Sequence, residues 1–346
     1  MLNPSVQIPG ARNVEPLIDR FSRRFNYARI ALTERCNLRC TYCMPEEGVD
    51  FRSSDELLTT DEIQRLVHVL ASAGVDKLRF TGGEPTLRKD LPELVAAAKQ
   101  TPGINTVHIT TNGLLLHRML DELQYAGLDG INFSLDTLQP QRFEQITRRQ
   151  GLQQTLDNIE LALASGIDNI KINVVVMRGI NDDEIKDFCE LTREHAVTVR
   201  FIEFMPFDAR QLWVDGDYLL RAKDIVAQLH HHYAQLSATP GSETEHHCYR
   251  VKGYRGSIAV IPAFTRSLCR SCNRLRITAD GQLRNCLYSE TDYDLRSLLR
   301  KQTDDAKVLA LLRQAMQEKA IDGVEARERS AVKVAVPRIS MTQIGG

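Results

Sequence analysis

From about residue 28 the chain alternates two kinds of hydrophobic pattern. Short β-rich runs, "ARIALT" (28–33), "DKLRFT" (76–81), "NTVHIT" (105–110), "GINFSL" (130–135), "NIKINVVVM" (169–177) and "TVRFIEF" (198–204), are separated by stretches whose apolar residues recur at helical spacing. The helices have legible ends. Thr59-Thr60-Asp61-Glu62 is a capping box ahead of Ile63, Leu66, Val67 and Leu70, and Gly74 stops that helix. Asp90-Leu91-Pro92-Glu93 opens the next, Gly127 closes a third, and Gly166 closes a fourth. Asn181-Asp182-Asp183-Glu184 caps a fifth helix that runs to about His195. Six β-α alternations predict parallel strands joined by right-handed crossovers. A closed barrel and an open doubly wound sheet both fit that rhythm; six units without a seventh point to a partial barrel, open on one side.

After about residue 210 the rhythm breaks. A helix containing "AKDIVAQLHHH" leads to short strands in "HCYRVKGY" and "GSIAVIPAF". A hairpin follows, "NRLRITADGQLRNCLY", turning at Asp280-Gly281, and two helical segments and a polar tail end the chain. The expected organisation is an N-terminal extension (1–20), a partial (βα)6 TIM-like barrel (21–240), and a smaller C-terminal α+β domain (241–346) that closes the open side.

Composition changes this picture little. The 346 residues include 44 basic and 45 acidic side chains, a formal charge of −1, so global electrostatics favour neither nucleic acid nor membrane. No run of about 18 apolar residues is present, and the N-terminus lacks the apolar core of a secretory signal. A reducing, cytoplasmic setting is the expectation, and there the eight cysteines are expected to bind metal or be incidental rather than to form disulfides.

Cys36, Cys40 and Cys43 follow the first strand at C-x3-C-x2-C spacing, at the mouth where α/β proteins place their sites. Three soft thiolates from one loop suit three irons of a [4Fe–4S] cubane. With no fourth cysteine nearby, one iron is left to take a small molecule. The alternative is a zinc site completed by Cys189 or Cys248, though zinc loops favour paired C-x2-C knuckles. A second set, Cys269, Cys272 and Cys286, spans the hairpin. Its C-x2-C spacing alone suits zinc. Only three thiols are available again, and Arg266, Arg270, Arg274, Arg276 and Arg284 surround them, which favours a second cluster facing an anion. In "TGGEP" (81–85), Gly82 and Gly83 let backbone approach a ligand and Glu84 offers a carboxylate, unless the stretch is an ordinary strand-to-helix turn.

Strand parity locates the positive charge. Lys77, Arg79 and Thr81 share one face of their strand, Lys171 and Asn173 one face of theirs, Arg29 goes with Ala31 and Thr33, and Arg200 with Thr198 and Ile202. The helix-covered outside must be apolar, so these cations point inward, where barrels normally hold branched aliphatics. Unpaired they would be costly. The strands carry few acids, and Glu203 has the opposite parity from Arg200, so a polyanion such as a triphosphate is the expected partner. His230-His231-His232 and His246-His247 read as solvated surface, and Cys189 as a core thiol.

"CNLRCTYC" is similar to the signature of radical S-adenosylmethionine (SAM) enzymes. Together with "RFTGGEPTLR", "TTNG", "FSLDTL", "RGIND", "RFIEFMP", "CRSCNRLRITADGQLRNCL" and the terminal "GG", it makes the chain resemble the GTP 3′,8-cyclase family of molybdenum cofactor biosynthesis from about residue 18 onward. The resemblance implies two [4Fe–4S] clusters, on Cys36, Cys40 and Cys43 and on Cys269, Cys272 and Cys286. It implies SAM contacts from Tyr42, Gly83, Ser134 and Met205. GTP contacts fall to Arg29, Arg79, Thr110, Lys171, Arg274, Leu275 and Arg276, with Lys77 and Arg200 as further pocket residues, and Gly345-Gly346 as a tail that threads into the site. The implied reaction is reductive cleavage of SAM, hydrogen abstraction from ribose C3′ of GTP, and closure onto guanine C8 to give 3′,8-cyclo-7,8-dihydro-GTP. The implied partners are an electron-donor protein, the downstream cyclic pyranopterin monophosphate synthase, and a second copy in a homodimer. A radical SAM peptide modifier and a zinc-stabilised binding module are the competing readings.

Overall fold

The computed structural model describes residues 15–205, 217–242, 244–289, 291–301, 303–330 and 340–344. The six expected strands are β1 (Tyr27–Ala31), β2 (Lys77–Thr81), β3 (Thr106–Thr111), β4 (Gly130–Ser134), β5 (Asn169–Val176) and β6 (Thr198–Glu203). They pair in parallel, in chain order. The helices between them are α1 (Thr60–Ser72), α2 (Leu91–Gln100), α3 (Leu120–Tyr125), α4 (Pro140–Thr147), α5 (Leu152–Ala164) and α6 (Ile185–Glu194). The capping box at Thr59 is formed, with Glu62 reaching back to the Thr59 amide at 2.8 Å. Leu78, Phe80, Ile170, Ile172, Val174 and Val176 are buried in the core, as their parity requires.

The stretch before Gly166 is two helices rather than one. Arg148 (φ 55°) and Gly151 (φ 139°) leave the right-handed region between α4 and α5 and break the run. Downstream, α7 (Ala222–His232) precedes β7 (Leu236–Ser242), β8 (His246–Val251) and β9 (Ser257–Ile261). The hairpin is β10 (Arg274–Ile277) and β11 (Gln282–Arg284), followed by β12 (Tyr293–Asp294) and then α8 (Leu295–Arg300), α9 (Asp305–Gln317) and α10 (Gly323–Ser330), three helices where two were expected.

These later strands build no sheet of their own. β9 adds to β6 in parallel and β10 adds to β1 in parallel, giving one twelve-stranded sheet in the order β12-β11-β10-β1-β2-β3-β4-β5-β6-β9-β8-β7. The segment from Pro262 to Asn273 therefore links the two sides of the six-strand core, and its residues line the mouth between them. Among the described residues no helix is long and apolar enough to cross a membrane.

Candidate active site

The loop after β1 is held by the loop after β2. Gly83 N–H donates to the Thr33 carbonyl at 2.6 Å and Glu84 N–H to the Arg35 carbonyl at 2.8 Å. A Cβ on Gly83 would lie 2.2 Å from the Arg35 oxygen and 2.6 Å from the Glu34 oxygen, so only glycine permits this approach. Gly83→Ala is expected to cost about 3 kcal/mol or more of unfolding free energy, since backbone cannot move aside as a side chain does; denaturant unfolding showing a loss under about 1 kcal/mol would contradict this packing.

On this base the first three cysteines turn toward one cavity. Cys43 N–H and Met44 N–H both donate to the Cys40 carbonyl, while Arg39 and Thr41 amides tie the loop to the end of α4. Burial raises the thiol pKa of Cys36 to about 11 and of Cys43 to about 12, and raises Cys40 well above its ordinary value, with the neighbouring thiols adding to the rise for Cys40 and Cys43. Leu38 N–H and Asn112 Nδ2 approach Cys36 Sγ at 3.4 and 3.8 Å, ready donors for a thiolate. Tyr42 donates its hydroxyl to Asp136 at 2.6 Å, and Asp136 also accepts from Val175 N–H at 2.8 Å.

Burial lifts the Asp136 carboxyl to about 6 despite those two bonds. A carboxyl raised in the fold contributes most below its unfolded value, and that contribution is lost as pH climbs through the folded value. Asp136→Asn should thus gain about 3 kcal/mol relative to the parent between pH 4 and pH 6.5. Parallel pH-stability curves for the two chains would refute the shift.

Cys269, Cys272 and Cys286 face the same cavity from the other side. Arg23, paired with Asp19 at 2.6 Å, donates to the Cys269 carbonyl at 3.2 Å and to the Ile321 and Ala320 carbonyls at 2.7 Å, fixing this loop. Burial would raise the Cys272 thiol, but Lys319 and Arg274 overcome it and bring it to about 6. The shared cavity measures about 380 Å³, within the range of small-molecule sites. Among the described residues no three His, Cys, Asp or Glu side chains converge on one point as a single ion requires. Two triads of soft thiols line one common cavity.

Between the triads lies a wall of cations. In register, Arg276, Arg29 and Arg79 stand side by side on β10, β1 and β2, with His108 next on β3. Arg274, Tyr27 and Lys77 form the adjoining row. Neighbouring strands are only about 4.8 Å apart, so these charges repel strongly. Burial, then Arg79, takes Arg200 down to about 9; burial, then Arg29, does the same to Arg276. Burial and Arg79 press His108 to about 3, so it is neutral. Arg79 is 2% exposed, and the Asn132 amide, with its oxygen toward it, accepts from its nitrogens at 2.9–3.1 Å. Arg200 Nε donates to Asn173 at 2.8 Å, and the Tyr27 ring sits among Arg29, Lys77 and Arg79.

Of the residues singled out from sequence, both triads, Tyr42, Gly83, Thr110, Ser134, Met205, Arg29, Arg79, Arg200, Arg274 and Arg276 line this cavity. Lys77 and Lys171 lie beyond its lining, toward the starts of β2 and β5; burial, then Arg200, lowers Lys171 to about 8. The Leu275 side chain is in the hydrophobic core, so only its backbone is available to a ligand. Gly345 and Gly346 lie outside the described residues, but Ser340 and Met341 just before them donate to the Cys43 carbonyl at 2.9 and 3.1 Å.

Three expectations are corrected. Glu84 does not offer a carboxylate to a cation: it accepts from Thr86 N–H, the Thr86 and Thr111 hydroxyls and Asn112 N–H, bracing the ends of β2 and β3. The pair His246-His247 is not uniformly solvated, since His246 turns a buried Nδ1 toward the cations while His247 is exposed. And the interior does contain an acid, Glu245, delivered by the β7–β8 turn rather than by a strand. Asn173 faces inward with Lys171, as its parity predicts; Tyr27 and Asn132 are cavity partners the sequence reading did not single out, although Tyr27 shares parity with Arg29, and Arg23, Lys319 and Glu245 leave no such signal. Cys189 is a core thiol, and Cys248 lies half-buried on β8 opposite Ala259.

A parallel partial barrel with a three-cysteine loop at its mouth defines an iron–sulfur enzyme of the radical SAM class. Residues 30–192 match the family model for the Radical SAM superfamily, and residues 197–323 match that for Molybdenum Cofactor Synthesis C. The chain is 47% identical over 330 residues to the GTP 3′,8-cyclase of Chlorobaculum tepidum, covering 95% of this chain and 97% of that one. It is 45% identical over 307 residues to molybdenum cofactor biosynthesis protein 1 of Dictyostelium discoideum, covering 88% of this chain and 48% of that longer one. The fold is similar to that of Streptococcus suis SuiB bound to S-adenosylmethionine (TM-score 0.58, 16% identity, 84% of this chain and 66% of that one). The chain belongs to the GTP 3′,8-cyclase family of molybdenum cofactor biosynthesis, within the radical SAM superfamily. That membership implies a [4Fe–4S] cluster and SAM.

Proposed function

We propose that this chain converts GTP to 3′,8-cyclo-7,8-dihydro-GTP using SAM and two [4Fe–4S] clusters. The observation that carries the reading is the opposition of two open thiol triads across one cavity walled by buried arginines. Cys36, Cys40 and Cys43 would hold the cluster that binds SAM; Cys269, Cys272 and Cys286 would hold the second, toward the guanine. A bound cluster with an iron free of protein ligands supplies the coordination site and the electron for SAM cleavage. The chain's own residues do the rest. Gly83 backbone, Tyr42, Ser134 and Met205 surround the SAM position, and Tyr42 is itself oriented by Asp136. Arg29, Arg79, Arg200, Arg274 and Arg276 hold the triphosphate, with Thr110 beside them and Lys77 and Lys171 adding field from behind. Leu38, Phe143, Val175, Ile202, Phe204 and Ile261 supply apolar wall that excludes water from a reactive intermediate.

The oxygen-sensitive chemistry suits a reducing compartment such as the cytoplasm, a reductant protein, and a synthase that consumes the cyclised nucleotide. Anaerobic reconstitution should yield about eight irons per chain. Incubation with dithionite, SAM and GTP should then consume GTP and form 5′-deoxyadenosine. SAM cleavage indifferent to GTP would reassign the substrate, and stoichiometric zinc in place of iron would end the reading.

A further inference from the structure

Glu245 is the acid within the cation wall, and its placement is unusual. The side chain is 8% exposed and lines the cavity with Arg29, Arg79, Arg200, Arg274 and Arg276. Its Oε1 is fully buried and accepts no hydrogen bond among the described residues. A buried carboxylate oxygen without donors is costly, and here the field of the surrounding cations offsets that cost. Burial opposes ionisation, but Arg79, Lys77, Arg274 and Arg29 together hold the carboxyl far below the ordinary range. The residue also sits at the periphery of the sheet. It belongs to the turn joining β7 and β8, at the outermost edge of the sheet, and the turn is steadied by Arg274 Nη2 donating to the Thr244 carbonyl at 3.2 Å.

Resting on the reading that a polyphosphate enters this wall, we propose that Glu245 is an internal placeholder for it. Its carboxylate balances the arginines while no polyphosphate is present and must leave their field when one binds. A carboxylate with both oxygens bonded into the wall would add a fixed repulsion; one with an unbonded Oε1, on an edge turn, can swing out. Ligands of high charge can displace it and a monophosphate cannot, so the residue sets selectivity for the number of phosphates as well as affinity.

The test is calorimetric titration of the anaerobically reconstituted chain with inorganic tripolyphosphate and with GTP, in the presence and absence of Mg2+. Glu245→Gln should bind tripolyphosphate about tenfold more tightly than the parent, as removal of a like charge within a few ångströms implies. Glu245→Asp, which keeps the charge, should stay within about twofold of the parent. In the parent chain, amide hydrogen exchange across 244–248 should rise when tripolyphosphate binds. Unchanged or weaker binding by Glu245→Gln overturns the proposal, and weaker binding confined to Mg2+ overturns it in favour of a cation held between Glu245 and the phosphates. If Glu245→Gln does not fold, slower exchange in the parent on binding overturns it equally. A parent chain that takes tripolyphosphate but not GTP would instead sink the functional reading and leave this one standing.

Discussion

Replacing Cys40 by alanine should abolish both 5′-deoxyadenosine formation and GTP consumption, with reconstituted iron falling from about eight to about four per chain. Cys286→Ala should also lose about four irons, yet keep SAM cleavage while losing the cyclised product. The two outcomes differ because the triads stand on opposite sides of the cavity. The first shares its loop with Tyr42 and abuts Gly83, so whatever it holds faces the SAM position. The second lines the cavity together with Arg266, Arg274 and Arg276. Both loops are held by bonds independent of the thiols, the first by Ile146, Thr147 and Ser340, the second by Arg23. The variants should therefore fold, and circular dichroism unchanged from the parent will show it. Iron retained near eight in either variant would mean that a different side chain completes the set.

Much of this architecture is legible in the chain because charge and burial alternate within single strands. "KLRFT" places Arg79 inward and Phe80 outward by period alone, and the other inward arginines follow from the same alternation. The same rule applied to "RLRI" sets Leu275 in the core between Arg274 and Arg276, which is where it is. What resists reading is long-range. Nothing in "LSATPGS" marks β7 as a strand, since its proline and glycine interrupt the alternation and the pairing with β8 carries a bulge. Its edge position tolerates that. Nor does local pattern say that strands late in the chain add to both sides of the core, because β9 and β10 are neighbours in sequence and far apart in the sheet. Glu245 follows from the same blindness. A turn residue flanked by His246-His247 looks solvated until β8 pairs with β9 and brings it inside.

The cation wall yields the other large expected effect, and its sign separates function from architecture. Arg79→Met keeps the side-chain volume and removes the charge. GTP binding should weaken by about a hundredfold or more, the usual consequence of deleting one member of a buried charge contact. The unliganded chain, by contrast, should be as stable as the parent or more so, by about 1–4 kcal/mol. Burial lowers the Arg79 pKa, and the adjoining Arg29 and Arg274 lower it further, so in the free chain this guanidinium is held against its preference. Tyr27, the Glu245 carboxylate and the Asn132 oxygen only partly offset the cost. A structural arginine would behave in the opposite way, with its loss unfolding the chain and leaving residual binding in the surviving fraction unaltered. Thermal denaturation with and without GTP distinguishes the two. The parent should gain a large shift in midpoint on adding nucleotide, and Arg79→Met should start at or above the parent's unliganded midpoint and gain little. Arg200→Met, removing a second buried guanidinium from the same interior, should follow the same pattern, whereas methionine at the exposed Arg118 should change neither midpoint nor binding. Equal nucleotide shifts in all of these chains would place the triphosphate somewhere other than this wall.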